Sequence, residues 1–270
     1  MLPVLLTVGP LPIGTHDAFS LGGIAVGFGI YYAELRRRGW LDATIVWISL
    51  AALLGAALGA RLITAWERPQ VLSLFDVMPF TMAIEQSGKS LIGAIAGGYL
   101  AIVLAKRGFG YRGSTGDCYA LAIPVATAIG RIGCFLTELP LGKPTTLPWG
   151  ISVSPEAAAA FPVCPGCGGP MHPTMLYEIA FNVIAAWLVW RFRRRVPAQG
   201  DALKLYLLAA AVFRFLVEFL RTSPPQALGL TAPQWVLIPM VTLLVVHFGR
   251  QITRRAWLVP SPPAVREVLA

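Results

Sequence analysis

Seven segments of the sequence are apolar over about 17–25 residues, the length that a helix needs to cross a bilayer. They lie at about 18–35, 43–65, 89–106, 117–137, 174–190, 203–221 and 233–249. Only 13% of the residues are charged, against roughly 25% in an ordinary soluble domain, so a water-soluble globule is excluded. Backbone groups in lipid must be satisfied internally, and helices achieve this. The sequence therefore predicts an all-α, polytopic membrane helix bundle of about seven transmembrane helices, in a single domain, 1–270.

The positions of the basic residues predict how the helices are oriented. Of the 22 lysines and arginines, 15 lie in alternate connections, at 36–38, 106–112, 191–204 and 250–266. Cytoplasmic loops carry this excess in membrane proteins. We therefore expect the N-terminus outside, an external loop at about 138–173, and a cytoplasmic tail at about 250–270. Because the cations cluster between apolar segments, the formal net charge of +9 indicates membrane orientation and not nucleic-acid binding.

Charged residues within the spans are the strongest pointers to function, since each costs about 2.5–3.5 kcal/mol to insert. Arg131 lies in the fourth span, and Arg214, Glu218 and Arg221 share one face of the sixth span at i, i+4 and i+7. At the rise of an α-helix, Arg131 and Arg214 both lie roughly 10 Å below the outer boundary. Guanidinium groups bind phosphate in bidentate fashion. We expect either a phosphate site open to lipid, or an Arg214–Glu218 pair that only stabilises the bundle.

Other polar signals converge on the external face. Residues expected there, beside the arginines, are Lys89, Glu138, Gly142, Tyr177 and Glu178. His172 is a candidate general base near neutral pH or, equally, an element that caps the fifth helix. Glu178 could orient Arg131 or Arg214, or cap its own helix. Trp149 is expected to be an interfacial anchor.

The cysteines do not indicate a metal centre. Cys164 and Cys167 form a CxxC in the external loop, without a second CxxC, and His172 is the one nearby histidine. A closed four-ligand zinc site is hard to build from this set. A loop disulfide is the favoured interpretation, although the sequence leaves the bonding of the pair open. We expect no metal and no cofactor.

The order of several motifs resembles bacterial prolipoprotein diacylglyceryl transferases. The matching stretches are 130–135 (Gly-Arg-Ile-Gly-Cys-Phe), 142–144, 147–150 (Leu-Pro-Trp-Gly), 172–178 (His-Pro-Thr-Met-Leu-Tyr-Glu), 213–221 and 234–240. The resemblance extends over nearly the whole chain, and it is strongest at 129–178 and 213–240.

The resemblance implies an enzyme that transfers the diacylglyceryl group of phosphatidylglycerol to the lipobox cysteine of a prolipoprotein signal peptide. The product is a thioether, and glycerol phosphate is released. The family's essential arginines fall on Arg131 and Arg214, its glutamate on Glu218, and its glycine on Gly142. Substrate binding is assigned to Gly142, His172, Tyr177, Glu178, Lys89, Glu138 and Arg221. The site would face the periplasm from the bacterial cytoplasmic (inner) membrane, in a chain expected to be a monomer.

The sequence departs from the family pattern at positions that bear on the acceptor thiol. Gly88-Lys89-Ser90 precedes Leu91-Ile92-Gly93 where the family has His-Gly-Gly, so the family's histidine is absent, and Cys134 stands where the family has an asparagine. The proton acceptor is left open between His172 and Glu138, with Lys89 favouring the thiolate through its charge. Two alternatives remain: a catalytically altered homologue that binds lipid or signal peptide, and a small-anion transporter. No inverted repeat supports the transporter.

Overall fold

The protein is described here from a computed structural model, which covers residues 4–8, 11–67, 91–111, 113–137, 142–154, 169–193, 200–223 and 225–253. In these residues there are seven α-helices: α1 Thr15–Arg38, α2 Ala43–Glu67, α3 Leu91–Gly108, α4 Gly116–Leu136, α5 Thr174–Phe192, α6 Asp201–Glu218 and α7 Ala232–Thr253. Each predicted apolar segment falls on one of them. The prediction of an all-α, polytopic membrane protein is confirmed.

Five of the helices, α1, α2, α4, α5 and α7, are long and apolar enough to cross a membrane. Helix α6 has 18 residues and carries charges at four of them, Asp201, Lys204, Arg214 and Glu218. It ends at Glu218, three positions before the predicted end of the sixth span. Arg221 therefore lies beyond the end of α6, but its Nε is 3.6 Å from Glu218 Oε2, the carboxylate that Arg214 also contacts. The chain tightens into i→i+3 hydrogen bonds there, and Arg221 N–H donates to the Glu218 carbonyl over 3.1 Å.

The chain divides into two compact units, residues 35–113 and the remainder. In the smaller unit, α2 and α3 pack closely through glycines. A Cβ at Gly59 would overlap the Gly93 carbonyl oxygen and lie 2.8 Å from Gly97 Cα. Small residues let helix backbones approach in membranes, where van der Waals packing drives association. The missing side chains at these glycines are what permits the α2–α3 contact.

In the larger unit, α4 is central, because it packs against α5 and α6, and α6 packs against α7. The first part of α1 also contacts α4: a Cβ at Gly23 would lie 2.6 Å from the Ala126 carbonyl oxygen, and Tyr31 stacks on Tyr119 with ring centroids 4.4 Å apart. The glycine approach and the aromatic stacking fix α1 against α4.

Short antiparallel pairings supplement the helices. Strand β1 (Val4–Val8) pairs with β2 (Leu11–Gly14), and β3 (Ile151–Ser152) pairs with β4 (Pro170–Met171). The sequence analysis did not predict them, because strands of two to five residues are too short for a periodic signal. The β3–β4 pair lies in the predicted external loop, whose described parts are 142–154 and 169–173. Helix α7 continues to Thr253, slightly beyond the predicted start of the tail.

Candidate functional site

Helices α4, α5 and α6 bring together a group of ion-paired side chains that we call the arginine–glutamate cluster. It consists of Arg131, Glu178, Arg214, Glu218 and Arg221. Glu178, in the first turns of α5, is shared by all three arginines. Its Oε2 pairs with Arg131 Nε, and its Oε1 lies 3.0 Å from Arg214 Nη1 and 3.6 Å from Arg221 Nη1. Arg131 and Arg214 thus meet at one carboxylate, as two residues at a common depth should.

Glu218 forms the second carboxylate of the cluster. Its Oε2 lies 2.8 Å from Arg214 Nη2 and 3.6 Å from Arg221 Nε. The sequence left two alternatives for Arg214, a pair within its own helix or a shared site with Arg131. The structure contains both contacts at once, since different nitrogens of the same guanidinium reach Glu218 and Glu178. The intrahelical pair therefore does not withdraw Arg214 from the cluster.

The charges of the cluster are unequal in number and in exposure. The side chains of Arg131, Arg214 and Arg221 are 29%, 25% and 18% exposed, whereas those of Glu178 and Glu218 are 6% and 0% exposed. Three guanidiniums and two carboxylates leave a formal charge of +1. Because the carboxylates are buried and the guanidiniums are partly exposed, the accessible side of the cluster is cationic. It suits an anion with one negative charge.

Gly142 joins the loop at 142–154 to the cluster. Its N–H donates to the His172 carbonyl over 2.8 Å, the next N–H, of Lys143, donates to the Leu220 carbonyl over 2.7 Å, and Gly142 forms a β-bridge with Arg221. A Cβ at position 142 would overlap the Leu220 carbonyl oxygen and lie 2.8 Å from the His172 Cβ. Glycine is required here because backbone occupies the space of a side chain.

His172 and Tyr177 form a hydrogen-bonded group beside the start of α5. Tyr177 Oη accepts from Trp149 Nε1 over 2.9 Å, and it lies 3.2 Å from His172 Nδ1. The His172 ring therefore contacts a phenol, while its backbone carbonyl accepts from the Thr174 N–H over 2.9 Å. Side-chain capping of α5 by His172 does not occur in the described residues. Trp149, expected to be an anchor, also positions Tyr177.

Asn182 and Tyr206 are structural neighbours of the cluster that the sequence analysis missed. Asn182 Nδ2 donates to the Glu178 carbonyl over 2.8 Å, and Asn182 Oδ1 accepts from Tyr206 Oη over 2.9 Å. Both side chains are buried. The hydrogen bonds join α5 to α6 one turn away from Glu178. The sequence feature that could have identified this pair is Asn182 itself, an amide four residues after Glu178 in an otherwise apolar span.

Gln234 links α7 to α6. Its Oε1 accepts from the Thr231 N–H over 2.9 Å, and its Nε2 donates to the Phe215 carbonyl over 3.2 Å. The first contact is the return half of a capping box, in which the third helical residue satisfies the N-cap amide. The second contact supports α6 one residue after Arg214.

Several residues named in the sequence analysis lie outside the described part of the chain, whereas Cys134 lies beside Arg131. Lys89, Glu138, Cys164 and Cys167 lie outside the described residues. Cys134 is buried, and its Sγ lies 3.8 Å from Arg131 Nη1, so the position where the resembled family has asparagine contacts an arginine of the cluster.

Comparison with known proteins relates the chain to one family. A model of the prolipoprotein diacylglyceryl transferase family matches residues 3–249. A protein of Bordetella parapertussis named phosphatidylglycerol–prolipoprotein diacylglyceryl transferase is 32% identical over 260 residues, covering 88% of this chain and 91% of the relative. Proteins of the same name from Pseudomonas fluorescens and Cupriavidus metallidurans are 29% identical over 266 residues and 30% identical over 263 residues, covering 92% and 89% of this chain and 90% of each relative.

Proposed function

Because the chain belongs to the prolipoprotein diacylglyceryl transferase family, we propose that it transfers diacylglyceryl from phosphatidylglycerol to the lipobox cysteine of a prolipoprotein signal peptide. The observation that carries the proposal is the formal charge of +1 on the arginine–glutamate cluster, whose guanidiniums are its exposed part. A phosphodiester headgroup carries one negative charge, so its binding makes the cluster neutral. Uncompensated charge is costly in a membrane, and neutralisation favours this class of lipid.

In the proposed reaction the arginines act on the leaving group. The acceptor thiolate attacks the terminal carbon of the diacylglyceryl group and forms a C–S bond. The bond between that carbon and the phosphate oxygen breaks, and glycerol phosphate leaves with the electron pair. Arg131 and Arg214 stabilise the charge that builds on the phosphate, the kind of interaction that usually contributes most to catalysis. Glu218 holds Arg214 in position.

The acceptor thiol must lose its proton, and a cysteine with a pKa near 8.5 needs modest activation. His172 or Glu138 takes the proton, and Lys89 favours the thiolate. His172 has support from its position, since its backbone is hydrogen-bonded to Gly142, which bridges to Arg221. Tyr177, Glu178 and Arg221 complete the donor site.

The membrane arrangement is part of the proposal. All seven helices span the bacterial cytoplasmic (inner) membrane as one domain, with the N-terminus outside and the C-terminus in the cytoplasm. The loop at 138–173 then lies outside, and the cluster faces the periplasm. The distribution of basic residues supports this orientation. The protein acts as a monomer without a metal or cofactor.

The proposal is tested by incubating the purified protein with phosphatidylglycerol and a lipobox peptide, and measuring the peptide's mass. We expect diacylglyceryl addition by the wild type and none by Arg214→Ala. Arg250→Ala, an arginine in the last turn of α7, is the matched control and should retain activity. Lipidation by Arg214→Ala at the wild-type rate contradicts the arginine's role. Lipid binding without thioether formation by the wild type identifies a catalytically altered homologue instead.

A further inference from the structure

We propose that Asp117 is a positioning residue, which sets the level of Arg214 relative to Arg131 by fixing the start of α6 against the start of α4. The inference rests on the proposed function, because it concerns the geometry of the donor site. Asp117 lies at the opposite end of α4 from the arginine–glutamate cluster, and it was not among the candidate site residues.

The contacts of Asp117 cross from one helix to another. Its Oδ2 accepts from the Gly200 N–H over 2.9 Å, and its Oδ1 accepts from the Ala202 N–H over 3.0 Å and the Leu203 N–H over 3.4 Å. Amides in the first turn of a helix have no partner within their own helix. The N-cap residue of α6 is Gly200, which has no side chain to supply one. A carboxylate of α4 satisfies the N-terminus of α6, where it also interacts favourably with the helix dipole.

The backbone at this junction has little freedom to adjust. Gly200 has φ of 88°, a left-handed conformation that favours glycine, and a Cβ there would overlap Ser114 Oγ. Gly116 also lies against α6, since a Cβ at that position would lie 3.2 Å from Leu203 Cδ2. This close packing allows the start of α6 to occupy a single position along the axis of α4.

The two arginines lie at similar distances from this junction. Arg131 follows Asp117 by 14 positions, and Arg214 follows Ala202 by 12. At the rise of an α-helix these are roughly 21 Å and 18 Å along two helices that leave the junction in the same direction. At the far end, Glu178 contacts both arginines. Helices α4 and α6 are therefore joined at both ends, and an axial shift at the Asp117 end displaces Arg214 from the level of Arg131.

The chain offers a matched control at the same end of α6. Asp201 is also buried, like Asp117, but its Oδ1 contacts Lys204 of the same helix and His247 and Gln251 of α7, over 3.1 to 3.4 Å. Asp201→Asn weakens the start of α6 without touching its hydrogen bonds to α4. Comparing Asp201→Asn with the Asp117 variants therefore separates a general loss of stability from a loss of alignment between α4 and α6.

The experiment measures the dissociation constant for phosphatidylglycerol in detergent without acceptor peptide, together with the melting temperature. The variants are Asp117→Asn, Asp117→Glu and Asp201→Asn. Glutamate still caps α6 but is one methylene longer, so it keeps the charge and moves the junction. A displacement of about 1 Å can cost up to about 100-fold in rate. We expect Asp117→Glu to weaken lipid binding by about tenfold while lowering the melting temperature less than Asp117→Asn does. Asp117→Asn weakens both, and Asp201→Asn lowers the melting temperature with lipid binding kept within about twofold.

The inference is overturned if Asp117→Glu folds and binds phosphatidylglycerol as the wild type does. It is overturned equally if Asp201→Asn and Asp117→Asn weaken binding to the same extent, or if neither Asp117 variant accumulates while Asp201→Asn does. Wild-type protein that does not bind phosphatidylglycerol contradicts the proposed function, and that result is distinct from the others.

Discussion

Gly142→Ala should disable the protein through a contact made by a single methyl group. The new Cβ would lie 2.8 Å from His172 Cβ and 2.9 Å from Thr174 Cγ2, and it would overlap the Leu220 carbonyl oxygen. Ordinary van der Waals contact begins at 3.4 Å, so the loop must move away by about 0.5–1 Å, a range consistent with a cost of about 1–3 kcal/mol for overpacking. Because Gly142 is bridged to Arg221, the same movement reaches the arginine–glutamate cluster.

The expected result is a fall of up to about 100-fold in the rate of diacylglyceryl transfer, the cost of a displacement near 1 Å. Initial rates with a lipobox peptide and the melting temperature in detergent measure the two effects. Gly130→Ala is the matched control, because it precedes Arg131 and a Cβ there has none of the described atoms within 4 Å. Wild-type activity in Gly142→Ala, or an equal loss in Gly130→Ala, would refute the steric argument.

Three further predictions concern the carboxylate, the hydrogen-bonded phenol and the glycine packing. Glu178→Gln removes the carboxylate shared by three arginines and should cost about 3–5 kcal/mol; added phosphatidylglycerol should raise its melting temperature more than that of the wild type, and an equal rise contradicts the prediction. Tyr177→Phe loses the contacts to Trp149 and His172 and should lower the unfolding free energy by about 0.5–1.5 kcal/mol in chemical denaturation; an unchanged value contradicts the prediction. Gly59→Leu should separate α2 from α3 and cost at least about 1–3 kcal/mol, seen as a lower melting temperature; an unchanged value argues against close packing.

The sequence predicted the features that depend on local composition. Each helix follows from an apolar segment of suitable length, and the common depth of Arg131 and Arg214 follows from counting positions along two helices. Their meeting at Glu178 was one of two alternatives for that residue. Whether Glu178 contacts the arginines or caps its own helix depends on how α4, α5 and α6 are rotated about their axes. Neither hydropathy nor residue spacing gives this relative rotation.

The features that were missed depend on contacts between distant parts of the chain. Asp117 reads in the sequence as an ordinary acidic residue in the first turn of α4, where it suits its own helix dipole. Its bonds to α6 depend on how two helices pack. Arg221 was predicted to lie within the sixth helix, which instead ends at Glu218, although Arg221 still contacts the Glu218 carboxylate. The β-bridge between Arg221 and Gly142 was not predicted, because it joins residues far apart in sequence.

The contact between Asp117 and Gly200 has a consequence for biosynthesis. The two residues are separated by 83 positions, and ribosomes add about 5–20 residues per second, so Gly200 emerges about 4–17 s after Asp117. During that time α4 is synthesised without the amides that its carboxylate binds. Arg131 likewise precedes Glu178 in the chain. The arginine–glutamate cluster is therefore completed only when the chain has been translated through Arg221, and a ribosome that stalls earlier leaves a nascent chain with unmatched charges.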